Sequence, residues 1–264
     1  MNSFVEKIYD KNKDVFGLPQ SYKGIKFFPI KMKDIVTKSM FYQLLFHPKN
    51  YIPDREIIKM SYLKFLMFVI HQNYKAIDPT IDTRENLLTL LKNITKIDKV
   101  KYQLDDKKIN IVIGETIFDE YEFENVRAII LEQNGSSVEY IEEYNPDLEK
   151  KMSFMNRSLQ DVDNKDEMYS FCALTKMSEE EAGERTLYQF KCRFEREMLV
   201  KEYDLFKPLE VSGQISSKSG REIFKHYLSH IPHSGRYSSI LIDKDQFMED
   251  SGLGKANADG NINV

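Results

Sequence analysis

KVKYQLDDKKINIVIGETIFDEYEFENVRAIILEQNG, from Lys99 to Gly135, changes its hydrophobic period once. In KVKYQL and KINIVI every second residue is apolar. Val100, Tyr102 and Leu104 therefore share a face and oppose Ile109, Ile111 and Ile113 across a turn at Asp105-Asp106, the signature of a β-hairpin. From Asp119 onward the apolar residues recur at every third or fourth position instead. Asp119 and Glu122 form a capping box for a helix that buries Phe123, Val126, Ile129 and Ile130 and stops at Asn134-Gly135. A two-stranded ribbon is marginal in water, so the hairpin must lie against a helix or extend a sheet. The expected class is α+β, mostly helical, with short strands and one hairpin packed on helices.

Helices dominate on both sides of this stretch. YKGIKFFPI (22–30) alternates around Ile25, Phe27 and Ile30 and reads as one short strand ended at Pro29. Met32 to Phe46 places Ile35, Val36, Met40, Leu44 and Leu45 near one face, and His47-Pro48 stops that helix, because a residue before proline is pushed out of the helical region. Asp54 to His71 is apolar on most sides after Met60 and is expected to be the central buried helix; Thr83 to Ile94 carries a leucine stripe. Ser178 and Glu181 form a second capping box, expected to open a long helix to about Tyr203 with Leu187, Phe190, Phe194 and Met198 inward. Between these regions an acidic run, VEYIEEYNPDLE, and a weakly periodic stretch mark the expected boundary. The chain is read as an N-terminal mixed domain (1–149, hairpin 99–113), a C-terminal helical domain (150–249) and a flexible polar tail (250–264).

The 264 residues are 41% hydrophobic and 30% charged, enough apolar content for a sizeable core. A net charge of −4 gives no global pull toward nucleic acid or anionic membrane, so nucleic acid is not an expected partner. The longest clean apolar run, FLMFVI (65–70), falls well short of the roughly 18 to 20 residues needed to span a bilayer, so no membrane association is expected. Nor does the N-terminus read as a signal peptide, which makes the cytoplasm the expected compartment. Cys172 and Cys192, the two cysteines, are expected to be reduced and packed as small hydrophobes.

Catalytic patterns are weak. HYLSHIPHSGRY (226–237) places three of five histidines together, and Glu222, His226 and His230 would share a helical face, which makes a metal-dependent enzyme the alternative from a different functional class. Against it, the Glu that follows the first His in metalloprotease helices is missing and His233 lies beyond Pro232, so the histidines are read as hydrogen-bonding or interface residues. Lys218-Ser219-Gly220 lacks a partner Ser-x-x-Lys motif, and Gly252-Leu253-Gly254-Lys255 lacks phosphate-loop spacing. The acidic residues between Glu139 and Glu149 lack the spacing of a calcium loop. No catalytic residue, cofactor or metal ligand is therefore assigned. If docking surfaces exist, they are expected on the hairpin (Tyr102, Ile111), the charged long helix (Arg193, Arg196) and a basic-aromatic patch (Arg221, Tyr227, Arg236).

Several strings are familiar as a set. YKGIKFFPIKMKDI (22–35), IIKMSYLKFLMFVI (57–70), FENVRAIILEQNG (123–135) and YNPDLEKKM (144–152) resemble tail proteins of contractile-tailed bacteriophages, similar to the baseplate hub assembly family, over residues 20 to 155. The resemblance implies a small, partly helical protein of the host cytoplasm, without a catalytic centre, that helps build the tail or baseplate through contacts with other tail or baseplate proteins. A structural subunit of the mature baseplate or neck, present in the virion, is the alternative within that class. No site residue carries over, since the family offers none, and the oligomeric state is left open.

Overall fold

A computed structural model describes residues 9–71, 83–105, 108–155, 163–214 and 226–229. Element by element these are α1 (Lys11–Val15), β1 (Gln20–Tyr22), β2 (Ile25–Phe27), α2 (Met32–Gln43), two 3₁₀ turns (Leu44–Phe46 and Lys49–Tyr51), α3 (Arg55–Lys59), α4 (Tyr62–His71) and α5 (Thr83–Thr95). There follow β3 (Val100–Asp105), β4 (Lys108–Ile113), β5 (Thr116–Phe118), α6 (Glu120–Glu132), α7 (Val138–Glu142), α8 (Pro146–Met155), α9 (Asn164–Thr175), α10 (Glu179–Glu184) and α11 (Leu187–Val211). The protein is α+β and mostly helical, with one two-stranded and one three-stranded antiparallel sheet.

The hairpin forms in the expected register, Val100 opposite Ile113, Tyr102 opposite Ile111 and Leu104 opposite Ile109. Its ladder takes in the first residue of the expected turn, with Asp105 opposite Lys108, and a third strand, β5, pairs with β4. The sheet leans on α5 and α6, whose buried Leu87, Leu91, Phe123, Val126, Ile129 and Ile130 meet Val100, Ile111 and Ile113 in the main core. At the start of α6 the capping box is complete: Asp119 accepts from the backbone N–H of Tyr121 and Glu122, and Glu122 accepts from that of Asp119. Both cysteines are free, as expected, with Cys172 buried.

Three expectations are corrected. YKGIKFFPI is not one strand: Lys23 and Gly24 both take positive φ, 50° and 80°, and fold it into a β1–β2 hairpin. That conformation suits a tight two-residue hairpin turn. The helix expected from Asp54 to His71 breaks at Met60, whose ψ of 151° is extended. Asp54 caps the first piece through the Glu56 N–H, while Glu120 and Glu124 of α6 serve the second, accepting from the Ser61 hydroxyl at 2.6 Å and from the Tyr62 N–H. Lastly, the Ser178–Glu181 box opens only the six-residue α10, and α11 starts from its own box, Thr186 with Gln189.

A second hydrophobic cluster holds Phe171, Cys172, Ala182 and Phe190 together with Met32 of α2. Glu149 and Lys150, the expected boundary, lie within α8. The segment 28–32 receives bonds from distant parts of the chain. Phe28 N–H donates to the Ile94 carbonyl, the Gln133 side chain donates to the Phe28 carbonyl, Ile30 N–H donates to Asn134 Oδ1, Met32 N–H donates to the Arg185 carbonyl, and Leu187 N–H donates to the Ile30 carbonyl. Beside it Lys31 and Lys33 both bond Glu184 and hold its carboxyl down to about 2.

Among the described residues the largest fully buried side chain is Arg127, 1% exposed. Its guanidinium carbon sits 3.4 Å from the centre of the Tyr62 ring, its Nε donates to the Leu45 carbonyl at 3.2 Å, and its Nη1 donates to Glu142 at 3.0 Å. Tyr62 in turn donates its hydroxyl to the Leu44 and His47 carbonyls. Burial first, and then the Arg127 charge, pushes the His47 imidazole down to about 4. Arg127 thus ties α4, α6, α7 and the first 3₁₀ turn into one unit.

Candidate docking surfaces

The 25-residue α11 is about 37 Å long at 1.5 Å per residue. Its first turns are anchored. Gln189 donates to the Val15 carbonyl at 2.9 Å, and Phe190, 2% exposed, meets Phe171 at 4.3 Å between ring centres, with Phe194 beside both. Burial also raises the Tyr188 hydroxyl to about 12 and lowers the Lys191 ammonium from its ordinary range.

Beyond Phe194 the helix changes character. Met198, expected in the core, is 52% exposed, and Leu205, two turns further on the same face, is 62% exposed. The reason lies in the packing: among the described residues the second cluster reaches along this helix only to Phe194, and Lys201, Glu202 and Asp204 lie between the two apolar residues. On this one face of the helix the apolar interval lengthens from four residues, Phe194 to Met198, to seven, Met198 to Leu205. Two exposed apolar side chains on one helical face in a charged setting form a surface suited to another protein.

On another side of α11, Arg196 donates through Nη1 to the backbone carbonyls of Tyr227 and Ser229, the latter at 3.0 Å. The Tyr203 ring lies 5.0 Å from that of His226 and 5.2 Å from that of Tyr227. The structure therefore brings together two residues expected at interfaces, Arg196 and Tyr227, but as an internal clamp. Arg193 is partly exposed and 3.9 Å from Glu197. His226 Nδ1 accepts from the Leu228 N–H at 3.1 Å. Arg221, Glu222, His230, His233 and Arg236 lie outside the described residues. Among those described, no group of three or more His, Cys, Asp or Glu side chains is placed to hold a metal ion.

On the hairpin, Ile111 is fully buried and belongs to the core, which corrects its expected place on a docking surface: the face that looked available in the sequence is the one α5 and α6 cover. Tyr102 is half-buried against that core, whereas Leu104 on the same side of the sheet lies near the tip and is 78% exposed. Among the described residues β3 and β5 are the two edge strands of their sheet.

Against known protein families, curated proteins and solved structures, the chain matches none. Among the described residues no helix is long and apolar enough to cross a membrane.

Proposed function

We propose that the chain is a non-enzymatic assembly protein that works through protein–protein contacts, and that the assembly is the tail or baseplate of a contractile-tailed phage. The observation that carries the first part is the exposed apolar face of α11, Met198 and Leu205, on a helix anchored at its other end. The tail is suggested by the four strings between residues 22 and 152 that resemble the hub assembly family. Deleting the gene from the phage that carries it is expected to give tailless or baseplate-less particles. A Leu205→Lys chain, with helix content and stability unchanged to within about 0.5 kcal/mol as for other surface changes, is expected not to restore them. Normal tails after deletion would overturn the tail reading; full rescue by Leu205→Lys would overturn the role of α11. Quantitative mass spectrometry of purified particles separates an assembly factor, missing from them, from a structural subunit held at fixed ratio.

A further inference from the structure

We propose that the side of α11 carrying Arg193, Arg196, Val200, Tyr203 and Lys207 docks an acidic, aromatic segment of a partner protein, and that the chain's own residues His226 to Ser229 hold this site until the partner displaces them. The five residues recur at intervals of three, four, three and four, so they line one side of the helix. Met198 and Leu205 each stand two positions beyond Arg196 and Tyr203, about 200° further round. The site is therefore separate from the exposed apolar face and does not rest on the tail reading. Three of its five residues are cations. Arg193 lies 3.9 Å from Glu197 and Lys207 lies 2.8 Å from Glu210, so each has an acid on its own helix. Arg196 has none there: one turn away stand Cys192, Arg193, Leu199 and Val200.

What the chain places on this site shows what the site recognises. Arg196 Nη1 donates to the Tyr227 and Ser229 carbonyls, and the Tyr203 ring meets the rings of His226 and Tyr227, which lie 4.4 Å from each other. The segment closes on itself as a turn, with the Ser229 N–H donating to the His226 carbonyl at 2.8 Å, and Leu228 is 72% exposed. The contact thus consists of two backbone carbonyls and a pair of rings. Every peptide carries carbonyls, so only the ring pair is particular to this sequence. The carbonyls are also neutral, whereas a guanidinium fork is matched best by a carboxylate, which takes two parallel charge-assisted bonds. A segment with Asp or Glu beside two rings therefore makes every contact that residues 226–229 make and adds the opposite charge that they lack. The advantage of the chain's own segment is its tether. Eleven residues separate His226 from Gln214, and a short tether gives an effective concentration in the roughly millimolar range, which a weak competitor does not overcome and a matched one does.

The probes are a fluorescein-labelled peptide, DEHYLSD, which sets carboxylates on either side of the chain's own four residues, and its amide analogue, NQHYLSN; binding to the full chain is read by fluorescence polarisation. His226→Ala combined with Tyr227→Ala removes the ring contacts of the tethered segment and is expected to raise the affinity for DEHYLSD about tenfold over the unsubstituted chain. The amide analogue is expected to bind either chain about tenfold more weakly than DEHYLSD. Adding Arg196→Met to the double variant is expected to abolish the gain, with circular dichroism unchanged throughout. Equal affinity in the double variant and the unsubstituted chain overturns the occupancy by residues 226–229. Equal affinity for the two peptides overturns the acidic partner, and binding that survives Arg196→Met overturns the site. Failure of the double variant to bind DEHYLSD at about 1 mM overturns all three. A mass of two chains that falls to one in the double variant would place residues 226–229 on a second copy and overturn the tethered arrangement. Because Leu205→Lys lies on the other side of α11, it is expected to leave peptide binding unchanged. A chain that ignores the peptides while its tails still depend on Leu205 would sink this site and leave the assembly role standing.

Discussion

Replacing Arg127 by alanine tests whether the buried guanidinium is the tie that its contacts suggest. The substitution removes the cation over the Tyr62 ring, an interaction of about 2 kcal/mol when desolvated. It leaves the Leu45 carbonyl buried without its donor, costing about 1–3 kcal/mol. Glu142 loses its partner too, but its side chain is 25% exposed and keeps access to water, so that part is small. The sum is about 4 kcal/mol, within the range for breaking a buried pair from one side. Arg127→Met combined with Glu142→Gln should behave differently. Volume is kept, no charge is orphaned, and Nη2, which has no hydrogen-bond partner, no longer has to be buried. That double variant is expected to recover most of the loss. Urea unfolding followed by circular dichroism, with m compared across the set, reads both effects. A loss below about 1 kcal/mol for Arg127→Ala, or a double variant no more stable than the alanine, would refute the reasoning.

Two further predictions concern the same core. The His47 imidazole is held at about 4, against an ordinary value of about 6.5, so above pH 6.5 it is neutral in both folded and unfolded chains and contributes no pH dependence. As the pH falls from 6.5 to 4 only the unfolded chain takes up the proton, and stability should drop by roughly 2–3 kcal/mol relative to a His47→Phe chain, which keeps the stack on Phe65; parallel pH slopes for the two chains would show the assignment to be wrong. Asn134→Ala removes the buried acceptor of the Ile30 N–H and is expected to cost about 1–3 kcal/mol in urea unfolding, whereas an effect of a few tenths would mean that Ile30 finds another partner.

What could be read from the chain beforehand divides by range. The hairpin register and the Asp119 capping box are set by residues within a few positions of one another, and both formed as expected. The break at Met60 was not legible, because the acceptors serving Ser61 and Tyr62 are Glu120 and Glu124, some sixty residues away. The Lys23-Gly24 turn hid for another reason: lysine is an uncommon residue at positive φ, so the pair does not stand out as an Asn-Gly would. Ile111 and Met198 were each assigned to the wrong environment because periodicity tells which residues share a face but not what covers it. For the docking surfaces, composition indicated charged and aromatic residues, while the structure turned two of them, Arg196 and Tyr227, inward upon each other.

The bonds that converge on residues 28–32 have a consequence for how the protein is made. Lys31 and Glu184 are 153 positions apart, and Ile30 waits for Leu187. At roughly 5–20 residues per second a ribosome needs about 8–30 s to cover that distance. Ile94, Gln133 and Asn134 are made earlier and can already bond Phe28 and the Ile30 N–H, but for that interval the Ile30 carbonyl and the Met32 N–H have only water to bond. The last contacts of the N-terminal half can close only once α11 has begun to emerge.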